Sequence, residues 1–227
     1  MTFTGDHGWS LGEQGEWRKF TNWENGARVP MFIAVPWAPS SFGQQTAHIA
    51  EHLDLMPTLL SLCGLRLPEA EEKEAPLAGQ DLSPLLADPA ASLGKTWALS
   101  QFPRCANGAA TSKIDFPWAG ECLQGATAVR TKIPWMGYTL RVQGYRYTEW
   151  AAWNGTQLAP DWSHITIGDQ IGRELYDHRS DTGVSANSFL GETANIAETA
   201  DPALVRNLST LLHQVVAAQR VGGLSEE

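Results

Sequence analysis

Residues 29–37 read VPMFIAVPW, a nearly continuous apolar run with prolines at positions 30 and 36. A run this short, bounded by prolines and lacking the alternation of a half-exposed strand, reads as a strand buried on both faces. Such strands sit in sheets covered by helices, so the expected fold class is α/β.

The chain before this strand opens on a second strand-like run, Met1–Thr4, which leads directly into Gly5, Asp6, His7 and Gly8. Residues that follow a strand lie in the loop at its C-terminal end, where open α/β sheets place their ligands. Gly5 and Gly8 free the backbone to aim neighbouring side chains at one centre. A carboxylate beside an imidazole is half of a metal site, but a hard cation such as Ca²⁺ takes about six to eight oxygen ligands, so others must join them. Arg18 and Lys19 end the same loop and bring the positive charge that a metal-bound tetrahedral anion requires. The plain alternative has Asp6 bonding loop amides, His7 packing and Lys19 solvated. Trp9, Trp17 and Trp23 crowd this segment; ordinary packing is expected of them, with stacking on a sugar ring as the alternative.

After the strand, HLDLMPTLLSLCGLRLP (52–68) predicts a short helix. Asp54 is its N-cap, Pro57 falls in the first turn, Gly64 closes it, and Leu59, Leu60 and Leu62–Cys63 form its core face. Cys63 is thereby expected to be a buried hydrophobe. His48, Glu51 and His52 fit the H-x-x-E-H pattern of inverted zinc peptidases, yet both histidines precede the helix start and are not expected to converge on one ion.

Residues 66–96 form a surface connection with one short helical turn in GQDLSPLL, and a subdomain boundary is placed near Trp97. A long loop, 103–126, separates it from YTLRVQGYRYTEWAAW (138–153), where alternating residues around Gln143-Gly144 predict an antiparallel hairpin. Arg104 opens that loop, either solvated or able to read a substrate carboxylate bidentately. RELYDHRSDTG (173–183) reads as another strand and turn. The last element is a helix capped by Asp201, with Pro202 in its first position. Leu204, Val205, Leu208, Leu211, Leu212, Val215 and Val216 make its stripe, and it ends at Gly222-Gly223.

Of the 227 residues 43% are hydrophobic, enough for one good-sized domain or parts of two, and the formal net charge is -9 with no basic run. Nucleic acid is not an expected partner. No apolar stretch approaches the roughly 20 residues of a membrane span, and no basic-then-apolar leader opens the chain. Cys105 and Cys122, within the long loop, flank its Gly-, Asn- and Pro-rich part and could close a disulfide there if the compartment is oxidising. Asn154-Gly-Thr156 and Asn207-Leu-Ser209 fit a secretory protein.

TGDHGWSLGEQGEWRKFTNWENGARVPMFIAVP (4–36), together with LDLMPTLLSLCGL, SQFPR, MGYTLRVQGYRYTEW and ELYDHRSD in that order, resembles the sulfatases of the alkaline phosphatase superfamily, most closely those of the iduronate-2-sulfatase type. The resemblance implies the C-terminal part of a sulfatase fold. Residues 1–97 would end the main α/β domain, 98–222 would form a small antiparallel-sheet subdomain packed by a C-terminal helix, and 223–227 would be a tail. It implies that Asp6 and His7 ligate calcium and that Lys19 contacts the sulfate as a catalytic group. Gln14 stands where the family carries a histidine that lines the substrate site, and Arg104 is a second substrate-binding candidate.

The implied nucleophile is a formylglycine made from Cys/Ser-x-Pro-x-Arg, and neither that motif nor the family's early Asp–Asp pair is present. The expectation is therefore a chain that begins mid-domain, with Met1 an internal methionine, inactive without the N-terminal part of the same polypeptide. The implied substrate is a sulfated sugar or glycosaminoglycan, and the implied location is lysosomal or secreted. The alternatives are a phosphoester or phosphonate hydrolase of the same superfamily, and a non-catalytic remnant that binds glycan or protein.

Overall fold

The computed structural model describes residues 1–65, 77–104, 133–167, 170–181 and 192–221. Its larger sheet joins β5 (Trp97–Arg104), β6 (Trp135–Val142), β7 (Tyr145–Asn154), β8 (Ala159–Ile167) and β9 (Gln170–Ile171) in sequence order, with β10 (Arg173–Asp177) paired to β7. All pairings are antiparallel. The long β7 shares one edge between two partners: residues 145–149 face β10, and 151–154 face β8 beyond a register shift at Ala151/Ala152. The predicted hairpin is β6–β7, closed by Gln143-Gly144 with Val142 opposite Tyr145. Gly144 holds φ +79°, a region that favours glycine.

The register divides the sheet into two different faces. Met136, Tyr138 and Leu140 share one face with Tyr147 and Leu175, and all of them pack under helix α3 (Pro202–Val221). Gly137, Thr139 and Arg141 share the other with Arg146, Thr148 and Trp150, and that face meets residues 20–28. Alternation along β6 and β7 therefore separates an apolar contact from a polar one, and both are buried.

Helix α3 begins as its sequence predicts. The Asp201 carboxylate accepts the Ala203 amide at 2.8 Å and its carbonyl accepts the Val205 amide at 3.2 Å. Leu208, Leu212, Val215 and Val216 are buried against the sheet. Replacing Leu212, which has no exposed surface, by alanine is expected to cost about 2–5 kcal/mol, read as a lower urea midpoint at constant m. The stretch at Gly222-Gly223 lies outside the described residues, as do Cys105, Cys122 and the 103–126 loop beyond Arg104.

Two expectations for the N-terminal segment are corrected. The strand read from VPMFIAVPW is β4 (Met31–Ile33), and it is not buried on both faces. It pairs antiparallel with β1 (Thr2–Thr4) alone among the described residues, and Phe32, 49% exposed, stacks on Phe3 at 5.0 Å with nothing described above them. Helix α2 (Leu55–Leu62) follows a 3-10 turn at His52–Asp54; Asp54 stands at the helix N-cap position as predicted, but its side chain makes no cap bond there and joins Glu51 in the capping box of the turn. The Asp54 carboxylate instead accepts the Glu51 amide at 2.8 Å, the Gln80 amide at 2.8 Å and the Lys95 ammonium at 2.7 Å.

The helix also turns its other side inward. Pro57 and Thr58 are the buried residues, with Thr58 accepting the Leu82 amide at 2.9 Å, while Leu59 and Cys63 are exposed. The polar groups that Thr58 and Asp54 satisfy lie on the chain's own side, and this fixes the helix's rotation. Gly64 closes the helix at φ +67° as predicted. No described helix is long and apolar enough to cross a membrane.

Candidate active site

Strand β1 delivers the chain to Gly5, whose amide donates to Pro30, and Gly8 donates to the Gly26 carbonyl at 3.0 Å. A Cβ at Gly8 would lie 1.9 Å from the Asn25 carbonyl oxygen, so this position requires glycine for close approach. The loop is thereby pressed onto the single helical turn α1 (Glu24–Ala27).

Asp6, His7 and Lys19 come together. The His7 Nδ1 contacts the Gly8 carbonyl at 2.8 Å, which makes Nδ1 the protonated nitrogen and leaves Nε2 a lone-pair acceptor. Lys19 Nζ bonds to that Nε2, and Asp6 Oδ2 stands 3.2 Å from it. Asp6 is 86% exposed on its side chain. The little desolvation it suffers, which raises its pKa, is outweighed by the His7 amide, and the carboxyl stays below its ordinary value. Lys19 also lies near enough for its charge to help lower the Asp6 pKa. One carboxylate oxygen and one imidazole nitrogen aimed at a common point form a donor set that fits part of a divalent-metal shell.

Between His7 and Lys19 the chain makes a small ribbon, β2 (Ser10–Leu11) against β3 (Trp17–Arg18). Gln14 at its tip and Arg18 at its end both hold left-handed backbone, φ +51° and +74°, at a cost of about 1–3 kcal/mol each. The Arg18 conformation turns the chain so that Lys19 follows toward His7. The ribbon presents Trp9 and Trp17, 51% and 58% exposed, with the Trp9 ring 6.1 Å from that of His7. The expected packing applies to Trp23 alone of the three, whose Nε1 donates to Glu174.

Arg104 is not a solvated loop residue. It ends β5, donates to Glu16 Oε1 at 3.1 Å and lies over the Trp150 ring at 5.4 Å. It thus ties the sheet to the base of the ribbon and is not part of the Asp6–His7–Lys19 group. The histidines of the H-x-x-E-H pattern separate, as their non-helical setting predicts. His48 meets Gln80 at 2.7 Å, His52 meets Thr4 at 3.0 Å, and Glu51 binds Lys95 at 2.7 Å.

The sequence reading missed a buried cluster beneath α1. Glu24 pairs with Arg28 at 3.3 Å, with Arg141 at 3.1 Å and with Arg146. Asp181 pairs with Arg28 at 2.7 Å, and Glu192 with Arg146 at 2.7 Å and His178 at 3.0 Å. Burial would raise the Glu24 pKa, but Arg146 and Arg141 overcome it and hold the carboxyl far below its ordinary value. Glu24, His178 and Asp181 bring ligand atoms within 4.8 Å of one another, as a metal centre would. Three guanidinium charges already balance these carboxylates and would repel a divalent ion at close range, so the cluster is an ion-pair network. The one signal in the sequence was the pair Arg141 and Arg146, placed opposite each other by the hairpin register.

Residues 1–65 match the sulfatase family. The chain is 28% identical to mouse (Mus musculus) iduronate 2-sulfatase over 210 residues, covering 74% of this chain and 35% of the relative. It is 30% identical to arylsulfatase K of Xenopus laevis over 118 residues, 49% of this chain and 20% of the relative. Among solved structures it is similar to the phosphonate monoester hydrolase from Silicibacter pomeroyi, with TM-score 0.59 and 23% identity over 97% of this chain and 34% of that one. The chain spans about a third of the length of the iduronate 2-sulfatase it matches, 35%.

Proposed function

We propose that this chain, sulfatase-family in sequence over residues 1–65 and sulfatase-like in fold, carries the Asp6, His7 and Lys19 share of the active site of a sulfuric ester hydrolase. The observation that carries this reading is the meeting of Asp6 Oδ2, His7 Nε2 and Lys19 Nζ at the end of β1, inside the family-matched segment.

Asp6 and His7 would hold a calcium ion, which when bound supplies the positive charge that polarises sulfate oxygens. The chain's own groups have separate tasks. The Gly8 carbonyl holds the Nδ1 proton of His7, so Nε2, which Lys19 contacts in this structure, would be the nitrogen to donate its lone pair to a metal once Lys19 withdraws. Lys19 faces the same point and would stabilise negative charge on sulfate oxygen as it builds in the transition state. Formylglycine does not fit the residues present, because no Cys or Ser stands in Cys/Ser-x-Pro-x-Arg. The nucleophile of this reading therefore comes from the N-terminal part of the same polypeptide, which would also cover the exposed Phe3–Phe32 stack.

A sulfated sugar or glycosaminoglycan is the substrate class we assign, following the likeness to iduronate 2-sulfatase. The exposed Trp9 and Trp17 suit a sugar ring, and Gln14 marks the ribbon tip above it. A carboxylated sugar would have to draw Arg104 away from Glu16. Lysosomal or secreted placement accords with Asn154, exposed in the β7–β8 turn within Asn154-Gly-Thr156.

The test is hydrolysis of paired esters by the polypeptide that joins this chain to a formylglycine-bearing part. A sulfate ester is expected to react faster than the matching phosphate or phosphonate monoester, and residues 1–227 alone are expected to turn over neither. Faster phosphonate hydrolysis would transfer the assignment to the second reading, which the structural likeness to a phosphonate monoester hydrolase favours.

A further inference from the structure

We propose that Glu24 is a positioning residue through which the polar face of the large sheet sets the geometry of the Asp6–His7 loop; its kinetic consequence rests on the function proposed above. The turn α1 touches both ends of the site segment. Gly8, next to His7, bonds to the Gly26 carbonyl at 3.0 Å, and a Cβ at Gly26 would come within 3.1 Å of the Lys19 carbonyl. Any shift of α1 therefore moves His7 and Lys19 together.

Four residues of helix cannot hold themselves, because a single turn fixes more backbone than its hydrogen bonds repay. The anchor is Glu24, 1% exposed. Arg141 and Arg28 hold one carboxylate oxygen, Arg146 the other, and the Glu24 amide donates to Glu192 at 2.7 Å. Arg141 and Arg146 are direct cross-strand partners, an arrangement that repels unless an anion lies between them. The hairpin is thus built to receive a carboxylate at one place. Well-packed apolar side chains would serve stability as well or better, so what this network adds is a fixed register between α1 and the sheet.

The test compares Glu24→Gln with Glu149→Gln in the full polypeptide. Glu149 is equally buried, but it lies on the apolar face and binds Tyr147 at 2.6 Å and His213 at 2.7 Å. Both variants should lower the melting temperature. Only Glu24→Gln should raise amide hydrogen exchange across Gly5–Lys19, by about tenfold, and raise the half-saturating calcium for sulfate ester turnover by a similar factor, with kcat recovering in excess calcium. Arg28→Gln, which removes one partner at the network's exposed edge, should shift both readouts the same way by less and covers the case in which Glu24→Gln does not fold. Unchanged loop exchange in the variants that fold, or equal acceleration in Glu149→Gln, overturns the proposal. Exchange that responds in a polypeptide without sulfatase activity overturns the sulfatase reading and leaves the clamp standing.

Discussion

Replacing Asp6 by alanine is expected to lower sulfate ester turnover of the polypeptide proposed above by about 100-fold or more while leaving the melting temperature nearly unchanged. The size follows from what the side chain does in the proposed site. Partners one shell removed from a metal typically cost about 10–100-fold when lost, and a ligand costs at least as much. The small effect on stability follows from its exposure, because Asp6 is 86% solvent-accessible on its side chain and its carboxylate bonds only locally, to the His7 amide and beside the His7 ring. Asp161→Ala is the control, an exposed aspartate on β8 that bonds Ser163 and His164. Steady-state assays of both variants in excess calcium check the prediction. Turnover in Asp6→Ala within twofold of the parent would remove Asp6 from the site.

Arg146→Met is expected to destabilise the fold by about 3–5 kcal/mol, because it leaves two buried carboxylates short of their partner. Arg146 is 3% exposed and bridges Glu24 and Glu192 through Nη2 and Nε, while its third guanidinium nitrogen, Nη1, donates to the Asn22 carbonyl at 2.7 Å. The same substitution changes the acid limb of stability. Glu24 has a folded-state pKa depressed below its ordinary 4.5, despite burial, by Arg146 and Arg141. It therefore contributes stability that is fully present above pH 4.5 and is lost as pH falls below that value toward the folded pKa. Glu149 has the same sign: burial raises its pKa, but bonds from Tyr147, His213 and Ser209 outweigh burial. Urea unfolding of the parent should show stability falling as pH drops below 4.5, and Arg146→Met should flatten the Glu24 part of that fall. A parallel pH profile in the variant would show that Glu24 is charged without help from Arg146.

Which features were legible in the sequence depended on how local their cause was. Asp201-Pro202 and Gln143-Gly144 each fix a backbone geometry within a few residues, and α3 and the β6–β7 turn form where they predict. Asp6, His7 and Lys19 were singled out by the strand end, the glycines and the family resemblance together, and the structure brings the three side chains into contact while their roles stay a proposal. The strand in VPMFIAVPW and the rotation of α2 were misread because burial is decided by neighbours. An apolar run says that Phe32 and Leu59 seek cover, not that the described chain supplies it. In the hairpin the alternation was read correctly, yet the usual inference that polar alternates face water failed. Arg141, Arg146 and Thr148 face Glu24, Asn22 and Thr139, and their partners lie more than a hundred residues away in two of these cases, 117 and 124.

The sheet and the segment it clamps close over very different stretches of chain. Thr139 and Thr148 meet across 9 residues, whereas the Glu24 amide must find Glu192 across 168. Nearby strands pair early and distant contacts late, so the hairpins should be in place before the N-terminal loop is seated. On the ribosome, at about 5–20 residues per second, the loop emerges on the order of ten seconds before its last anchor exists. Newborn copies would pass that interval with residues 20–28 lacking the sheet that later covers them, the stage at which a holdase chaperone gains its hold and a protease its cut.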